Sequence, residues 1–337
     1  MNRKNGENKM TDKKKQPIKY FSMFSGIGGF EIGLQNSKYE FENCGYSEVD
    51  KYAISIYKRH FPEHRNYGDA TKINTEELED FDLLIGGFPC QAFSIAGKQR
   101  GFNDTRGTLF FEIARVLRDK KPKYFLLENV KNLLSHEGGR TIQTILEICD
   151  ELGYDVSWKI YNSKNYGVPQ NRERLFLKGY YRGECGREVF LKQKIGQESD
   201  GGLISLNKKK QAQKVYDING VATTLCANGG GQGGKTGLYA INVTKEGNAR
   251  ALTTRQRDTK LSKRQDIYIQ DIEKGNLAIR RLIPLECERL QGFPDNWTEL
   301  GKDDEKISDT QRYKCVGNAV TTKVITSIIN EMFDEEQ

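Results

Sequence analysis

Apolar and polar positions along the first half of the chain follow two rhythms. Short apolar runs of strand length, Tyr20 to Phe24, Phe41 to Tyr46, Phe81 to Ile85 and Tyr124 to Leu127, alternate with stretches in which apolar residues recur every third or fourth position. Leu109, Phe110, Ile113, Val116 and Leu117 share a helical face ended by Pro122, and Ile142, Ile145, Leu146, Cys149 and Leu152 share another ended by Gly153. This alternation, from Ile18 to Lys178, predicts a doubly wound α/β sheet. Both helical stripes read as core packing, with no chemistry implied.

After about Tyr181 the rhythm gives way to glycine, lysine and short β-like pieces such as Lys214-Val215-Tyr216 and Leu238-Tyr239-Ala240-Ile241, which predict a smaller irregular unit running to about Ile279. Helical spacing returns in Val320 to Phe333, where Val324, Ile325, Ile328, Ile329 and Met332 form a stripe able to pack back on the first unit. The irregular unit is therefore expected to be an insertion.

The strand-length runs end in residues that carry chemistry. Phe81 to Ile85 passes through two glycines into Phe88-Pro89-Cys90-Gln91, displaying a thiol where a buried strand spills into a loop. A free cysteine is usually an inert core residue. Here Pro89 fixes the turn, Gln91 and Ser94 are polar, and Lys98 and Arg100 bring positive charge that favours thiolate. Tyr124 to Leu127 leads into Glu128-Asn129-Val130, so a carboxylate stands at the neighbouring strand mouth; it either caps the next helix or, with its pKa raised by burial, moves protons. In Gln170-Asn171-Arg172-Glu173-Arg174 two guanidinium groups fall on one side of an extended segment, either as surface charge or as a grip on a base carbonyl or phosphate.

Two glycine-rich stretches invite nucleotide readings. Phe24 to Phe30 is a glycine turn between the first strand and first helix, but Glu31 stands where the third glycine of the dinucleotide fingerprint is required. Glu48 closes the second strand, where an acid can take both ribose hydroxyls, and Asp69, Asp82 and Pro89 follow. Together they point to an adenosine-type cofactor lying along the strand ends and weaken a pyrophosphate cofactor. Gly229 to Thr236 matches the P-loop letter for letter, yet a strand-like segment, Leu238 to Val243, follows it where a helix is needed. A loop whose backbone approaches a phosphate backbone or base edges is the better reading.

Composition narrows the setting. No apolar stretch approaches the roughly 18 residues of a membrane span, and the basic start of the chain, residues 1–17, lacks the apolar core of a signal peptide and reads as a disordered, solvated arm. Seven cysteines, scattered and without a CxxC pair, argue against a disulfide framework or a zinc site and for a reducing, cytoplasmic compartment. A net charge of +7 suits a polyanionic partner, although a mild excess of lysine more often reflects solubility alone.

Taken in order, these segments resemble the DNA cytosine-5 methyltransferases of bacterial restriction-modification systems. The resemblance covers Tyr20 to Lys178 and Ile279 to Ser327. It rests on the glycine turn, Phe88 to Gln91, Glu128-Asn129-Val130, Gln170 to Arg174, Arg289-Leu290-Gln291-Gly292-Phe293-Pro294 and Gly317-Asn318-Ala319-Val320. It implies a Rossmann-like S-adenosylmethionine-dependent methyltransferase domain (residues 18–185 and 310–337), an inserted β-rich target-recognition domain (186–279) and a connecting hinge (280–309). Cys90 would add to cytosine C6 while Glu128 serves N3, with Arg174, helped by Arg172, holding the base O2 or a nearby phosphate. Phe24, Gly26, Gly28, Glu48, Asp69, Pro89, Leu109 and Asn318 would contact S-adenosylmethionine, with no metal. Val49 departs from the pattern, since relatives place a tryptophan there against adenine. Double-stranded DNA would meet Gln91, Ser94, Lys98, Gln211, Thr224, Gly230 and Gly231. The loop from Ser94 to Thr105 would close behind a flipped base, and Gln211 would fill the space the base leaves. Asn228 and Gln232 alter base-facing positions, so the target sequence does not carry over.

The resemblance further implies a monomer that is bacterial or phage-encoded, associated with the nucleoid, and functionally paired with a restriction endonuclease. Three alternatives compete: a tRNA cytosine-5 methyltransferase of the same fold, a non-catalytic DNA-binding relative, and a nicotinamide oxidoreductase, which Glu31 disfavours.

Overall fold

The computed structural model describes residues 16–89, 109–183 and 282–334, together with the backbone of short strands at 215–217, 222–223, 238–242 and 277–280. In chain order these form β1 (Ile18–Met23), α1 (Gly29–Gln35), β2 (Phe41–Ser47), α2 (Lys51–His60), β3 (Leu83–Gly87), α3 (Leu109–Lys120), β4 (Tyr124–Val130), α4 (Arg140–Glu151), β5 (Tyr154–Asn162), β6 (Gln170–Asn171), β7 (Glu173–Tyr181), β8 (Val215–Asp217), β9 (Ala222–Thr223), β10 (Leu238–Asn242), β11 (Leu277–Arg280), α5 (Pro284–Gln291), α6 (Asp309–Asn318) and α7 (Thr322–Asp334). Among the described residues no helix is long and apolar enough to cross a membrane.

The main sheet has six strands in the order β2-β1-β3-β4-β7-β5. Pairing is parallel from β2 to β4 and antiparallel where β7 meets β4 and β5. Apolar residues on both faces explain the unbroken apolar runs, because side chains alternate across a strand and both faces are covered. Phe21, Leu84, Phe125, Leu127 and Leu177 face α3 and α4, whereas Tyr20, Leu83, Ile85, Leu126 and Phe176 share a cluster with α1 and α7. The expected doubly wound fold is therefore present. α7 begins at Thr322 rather than Val320, after an extended Ala319.

The carboxyl ends of β1 to β4 share one edge of the sheet. β2 lies on one side of β1 and β3 on the other, so the chain reverses its winding at β1 and opens a crevice there. The glycine turn after β1 and the Phe88-Pro89 stem after β3 flank that crevice. β3 runs on through both glycines because Gly86 lies against β1, where a Cβ would stand 2.6 Å from the Met23 carbonyl oxygen.

Within 280–309, the segment expected as a hinge, the described residues from 282 onward contribute to the apolar core. Cys287, Leu290, Phe293, Trp297 and Ile307 join α2 and α6 residues in a third apolar cluster. Beneath them buried Glu288 takes the Arg312 guanidinium at 3.1 Å and the Thr298 hydroxyl. Of the segment expected to recognise DNA, the described backbone forms an antiparallel and parallel trio, β11-β10-β8, and β9, which pairs in parallel with β6 through Gln170↔Ala222 and Asn171↔Thr223.

Candidate active site

Glu128 sits in the last turn of the pleat of β4, opposite Gly87 of β3 and Phe176 of β7. A Cβ on Gly87 would lie 3.1 Å from Glu128 Oε2, so glycine leaves the room the carboxyl occupies. Arg174, two residues before Phe176, is its diagonal cross-strand neighbour, and the two side chains meet with Nε donating to Oε1 at 2.9 Å. Burial pushes the Glu128 pKa up; the Arg174 charge, and after it Arg172, pull it down without cancelling the rise. The result is a carboxyl inclined to hold a proton beside a fixed cation. A cavity of about 10 Å³, the size of one water, opens between Glu128, Ser163, Arg174, Phe176 and Thr321.

Arg172 and Arg174 do not play matching parts. Arg172 is 2% exposed, and its Nη2 donates to the carbonyls of Gly317 and Ala319 at 3.3 and 2.9 Å. It ties β7 to the turn after α6, and lies closer to a brace than to the expected second grip. Gln291 bonds the Val316 and Ala319 carbonyls, Thr321 bonds Gln291, and Ser163 bonds Thr321, so the Gly317 to Thr321 turn is held from several elements.

Beside Glu128 on β4, Asn129 donates from Nδ2 to the Phe88 carbonyl at 2.9 Å while its Oδ1 accepts from Val130 N–H. That bond fixes the stem two residues before Cys90. Cys90 itself, with Gln91, Ser94 and Lys98, lies outside the described residues, as do Gln211, Thr224, Gly230 and Gly231 and the loop expected to close behind a flipped base. The cysteines that are described, Cys44, Cys149, Cys287 and Cys315, are buried, and burial pushes their thiols up to between about 11 and about 12. None of the four has the character of a thiolate nucleophile.

In the crevice, Phe24, Gly26 and Gly28 all hold left-handed backbone, at φ of 55°, 57° and 87°. A Cβ on Gly26 would meet nothing within 4 Å, which leaves the turn open to a ligand. Glu48 reaches back to it, accepting from Gly26 N–H at Oε2 and from Val49 and Asp50 N–H at Oε1. Oε1 is thereby saturated, and Oε2 keeps one lone pair for a hydroxyl donor, one fewer place than the two expected. Asp69 caps a short 3-10 turn through Thr71, whose N–H and hydroxyl hold its pKa below the usual range. Pro89 and Asn318 are exposed and Leu109 half-buried at the same edge. Val49, next to Glu48, is 68% exposed.

A family model described as C-5 cytosine-specific DNA methylase matches residues 18–334. The chain belongs to that family. Among curated relatives, the methylase is 37% identical to Type II methyltransferase M1.ScrFI of Lactococcus lactis subsp. cremoris, over 97% of this chain and 80% of the relative. It is 33% identical to Type II methyltransferase M.HhaI of Haemophilus parahaemolyticus, over 94% of each chain. The structure of S. pombe Dnmt2 methyltransferase superposes on it with a TM-score of 0.67 at 16% identity, covering 95% of this chain and 99% of that one, which speaks for the fold alone. Sequence patterns pointed to Glu128, Arg174 and Glu48. They gave no warning of Asn129 as a stem anchor, of Ser163 and Thr321 beside Glu128, or of the methylase's Trp297 at the glycine turn, because each acts through a partner distant in sequence.

Proposed function

We propose that this methylase transfers a methyl group to C5 of a cytosine flipped out of duplex DNA, protecting host DNA from a cognate restriction endonuclease. The observation that carries the reading is the largely enclosed Glu128, its pKa raised by burial, clamped by Arg174 one strand from the Phe88-Pro89 stem that leads into Cys90.

Cytosine is a poor carbon nucleophile, so the ring has to be activated first. Cys90 thiolate forms a bond to C6 as Glu128 delivers its proton to N3, and the C5–C6 π pair then resides at C5 as an enamine. Arg174 stays in place to hold the base carbonyl and to balance the Glu128 carboxylate left behind. Arg172 keeps β7 and the Gly317 to Thr321 turn in register around that pair. After C5 is methylated, its proton departs to water, the electron pair restores C5–C6, the sulfur–carbon bond breaks to regenerate thiolate, and Glu128 recovers its proton from N3.

S-adenosylmethionine, when bound, supplies the electrophilic methyl group. The crevice suits it: an open glycine turn and the remaining Glu48 lone pair fit an adenosine ribose, and Phe24, Gly28, Asp69, Pro89, Leu109 and Asn318 border the same edge. The target base has to leave the stack, at a cost of a few kcal/mol, and the recognition region with Gln211, Thr224, Gly230 and Gly231 is assigned to the duplex. Phosphate contacts from its lysines and arginines make binding fall steeply with salt.

Transfer of tritiated methyl from S-adenosylmethionine to plasmid DNA and to tRNA tests this reading. Label in duplex DNA, mapped to one short site by bisulfite sequencing, is expected; label in tRNA alone would overturn it.

A further inference from the structure

The glycine turn of the crevice is held by a residue from the far end of the chain. The Ile27–Gly28 peptide is gripped from both sides: the Trp297 indole Nε1–H donates to the Ile27 carbonyl at 2.9 Å, and Gly28 N–H donates to the Ser25 carbonyl at 3.2 Å. Because the peptide is planar and trans, fixing its oxygen and its N–H fixes the plane from which the chain turns at Gly28, with its left-handed φ of 87°. A Cβ on Gly28 would stand 2.6 Å from the Phe61 ring, so the position is closed to any larger residue.

Trp297 is itself clamped. It is 8% exposed, its ring stacks on His60 with centroids 3.4 Å apart and planes 7° from parallel, and His60 Nε2 lies 2.8 Å from the Trp297 carbonyl. A carbonyl only accepts, so the His60 proton is on Nε2. Burial lowers the His60 pKa, which keeps the ring neutral and able to sit against the indole. The ring of Phe293 lies tilted against the indole, with centroids 5.8 Å apart. One indole thus joins the segment that leaves the recognition region to the turn between β1 and α1.

We propose that Trp297 is a positioning residue for the methyl donor: its indole N–H sets the Ile27–Gly28 peptide in the orientation that S-adenosylmethionine requires, with His60 holding the indole. The inference rests on the reading of the glycine turn as the methyl-donor site. Its signature is loss of donor affinity with little loss of chemistry or DNA binding.

Trp297→Phe keeps a ring on His60 and removes the donor. Losing one buried hydrogen bond at the turn is expected to weaken binding of S-adenosylhomocysteine, measured by calorimetry, and to raise KM for S-adenosylmethionine, each by about tenfold. The kcat at saturating donor and the Kd for duplex DNA should stay within about twofold. His60→Phe retains a stacked ring and removes the bond to the Trp297 carbonyl; a shift of about threefold in the same direction is expected, and it decides the matter if Trp297→Phe cannot be purified. A general packing defect would lower kcat, DNA affinity and Tm together, and that result, or unchanged donor affinity in both variants, overturns the proposal. Glu48→Ala separates the two layers. If it binds S-adenosylhomocysteine like the wild type, the assignment of the crevice fails; if it does not and the Trp297 and His60 variants do, this inference alone fails.

Discussion

Glu48 and Glu128 stand at the mouths of β2 and β4 on one sheet edge, yet they are held by different means. Backbone N–H groups of Gly26, Val49 and Asp50 surround Glu48, whereas Glu128 is held by a guanidinium and by its own burial. Backbone donors are placed by the fold and stay put when side chains change. An arginine across a strand pair is one substitution away from absent. The first arrangement suits a residue that binds a neutral hydroxyl; the second suits one that gives and recovers a proton, since burial favours the acid and the neighbouring cation steadies the carboxylate left when the proton is given.

If that contrast is right, the two carboxylates fail in different kinetic terms. Glu128→Gln keeps the shape and loses the proton, so kcat should fall about 10²- to 10⁴-fold while affinities for DNA and S-adenosylhomocysteine stay near wild type. Single-turnover methylation checks this, and an effect confined to KM would erase the distinction. Glu48→Ala should raise KM for S-adenosylmethionine by about tenfold to a hundredfold with a far smaller change in kcat, as expected for a group that binds ground and transition states alike. Steady-state titration of the methyl donor reads it directly.

A third carboxyl sharpens the comparison at the level of stability. Glu31, in the first turn of α1 below the glycine turn, is fully buried where Glu128 keeps a partly open edge, its Oε1 accepts from the Tyr57 hydroxyl at 3.1 Å, and burial pushes its pKa up to about 7. With the folded value raised above the ordinary 4.5, the folded state binds the extra proton, so its contribution is full below about pH 4.5 and lost as pH rises through about 7. Over that window wild type should lose on the order of 3 kcal/mol or less, and Glu31→Gln should be flatter. Urea midpoints at pH 5 and pH 8 compare them; identical slopes would mean that Glu31 is not buried as a neutral acid.

What the sequence disclosed and what it hid follow one physical line. The runs at Tyr20 and Phe81, the helical stripe at Leu109 and the placement of Glu128 were legible because period and local turn chemistry set them. The reversal of β7 against β4 was not, since an antiparallel partner is chosen by packing at a distance. The brace from Arg172 to Gly317 and Ala319, the Asn129 bond to Phe88, and the contact between Trp297 and Ile27 have no local signal at all, their partners lying up to 270 positions apart. The packing of Cys287, Leu290, Phe293, Trp297 and Ile307 with α2 was hidden for the same reason, as these apolar residues are individually unremarkable in sequence.

Covalent trapping bears most directly on the central claim that Cys90 and Glu128 act together on cytosine. Duplex DNA carrying 5-fluorocytosine at the target position, incubated with the protein and S-adenosylmethionine, should give a denaturant-stable protein–DNA adduct, because fluorine cannot leave C5 as the proton does. Cys90→Ala should bind the same DNA and give neither adduct nor methyl transfer. Measurable methylation of ordinary DNA by Cys90→Ala would contradict the account.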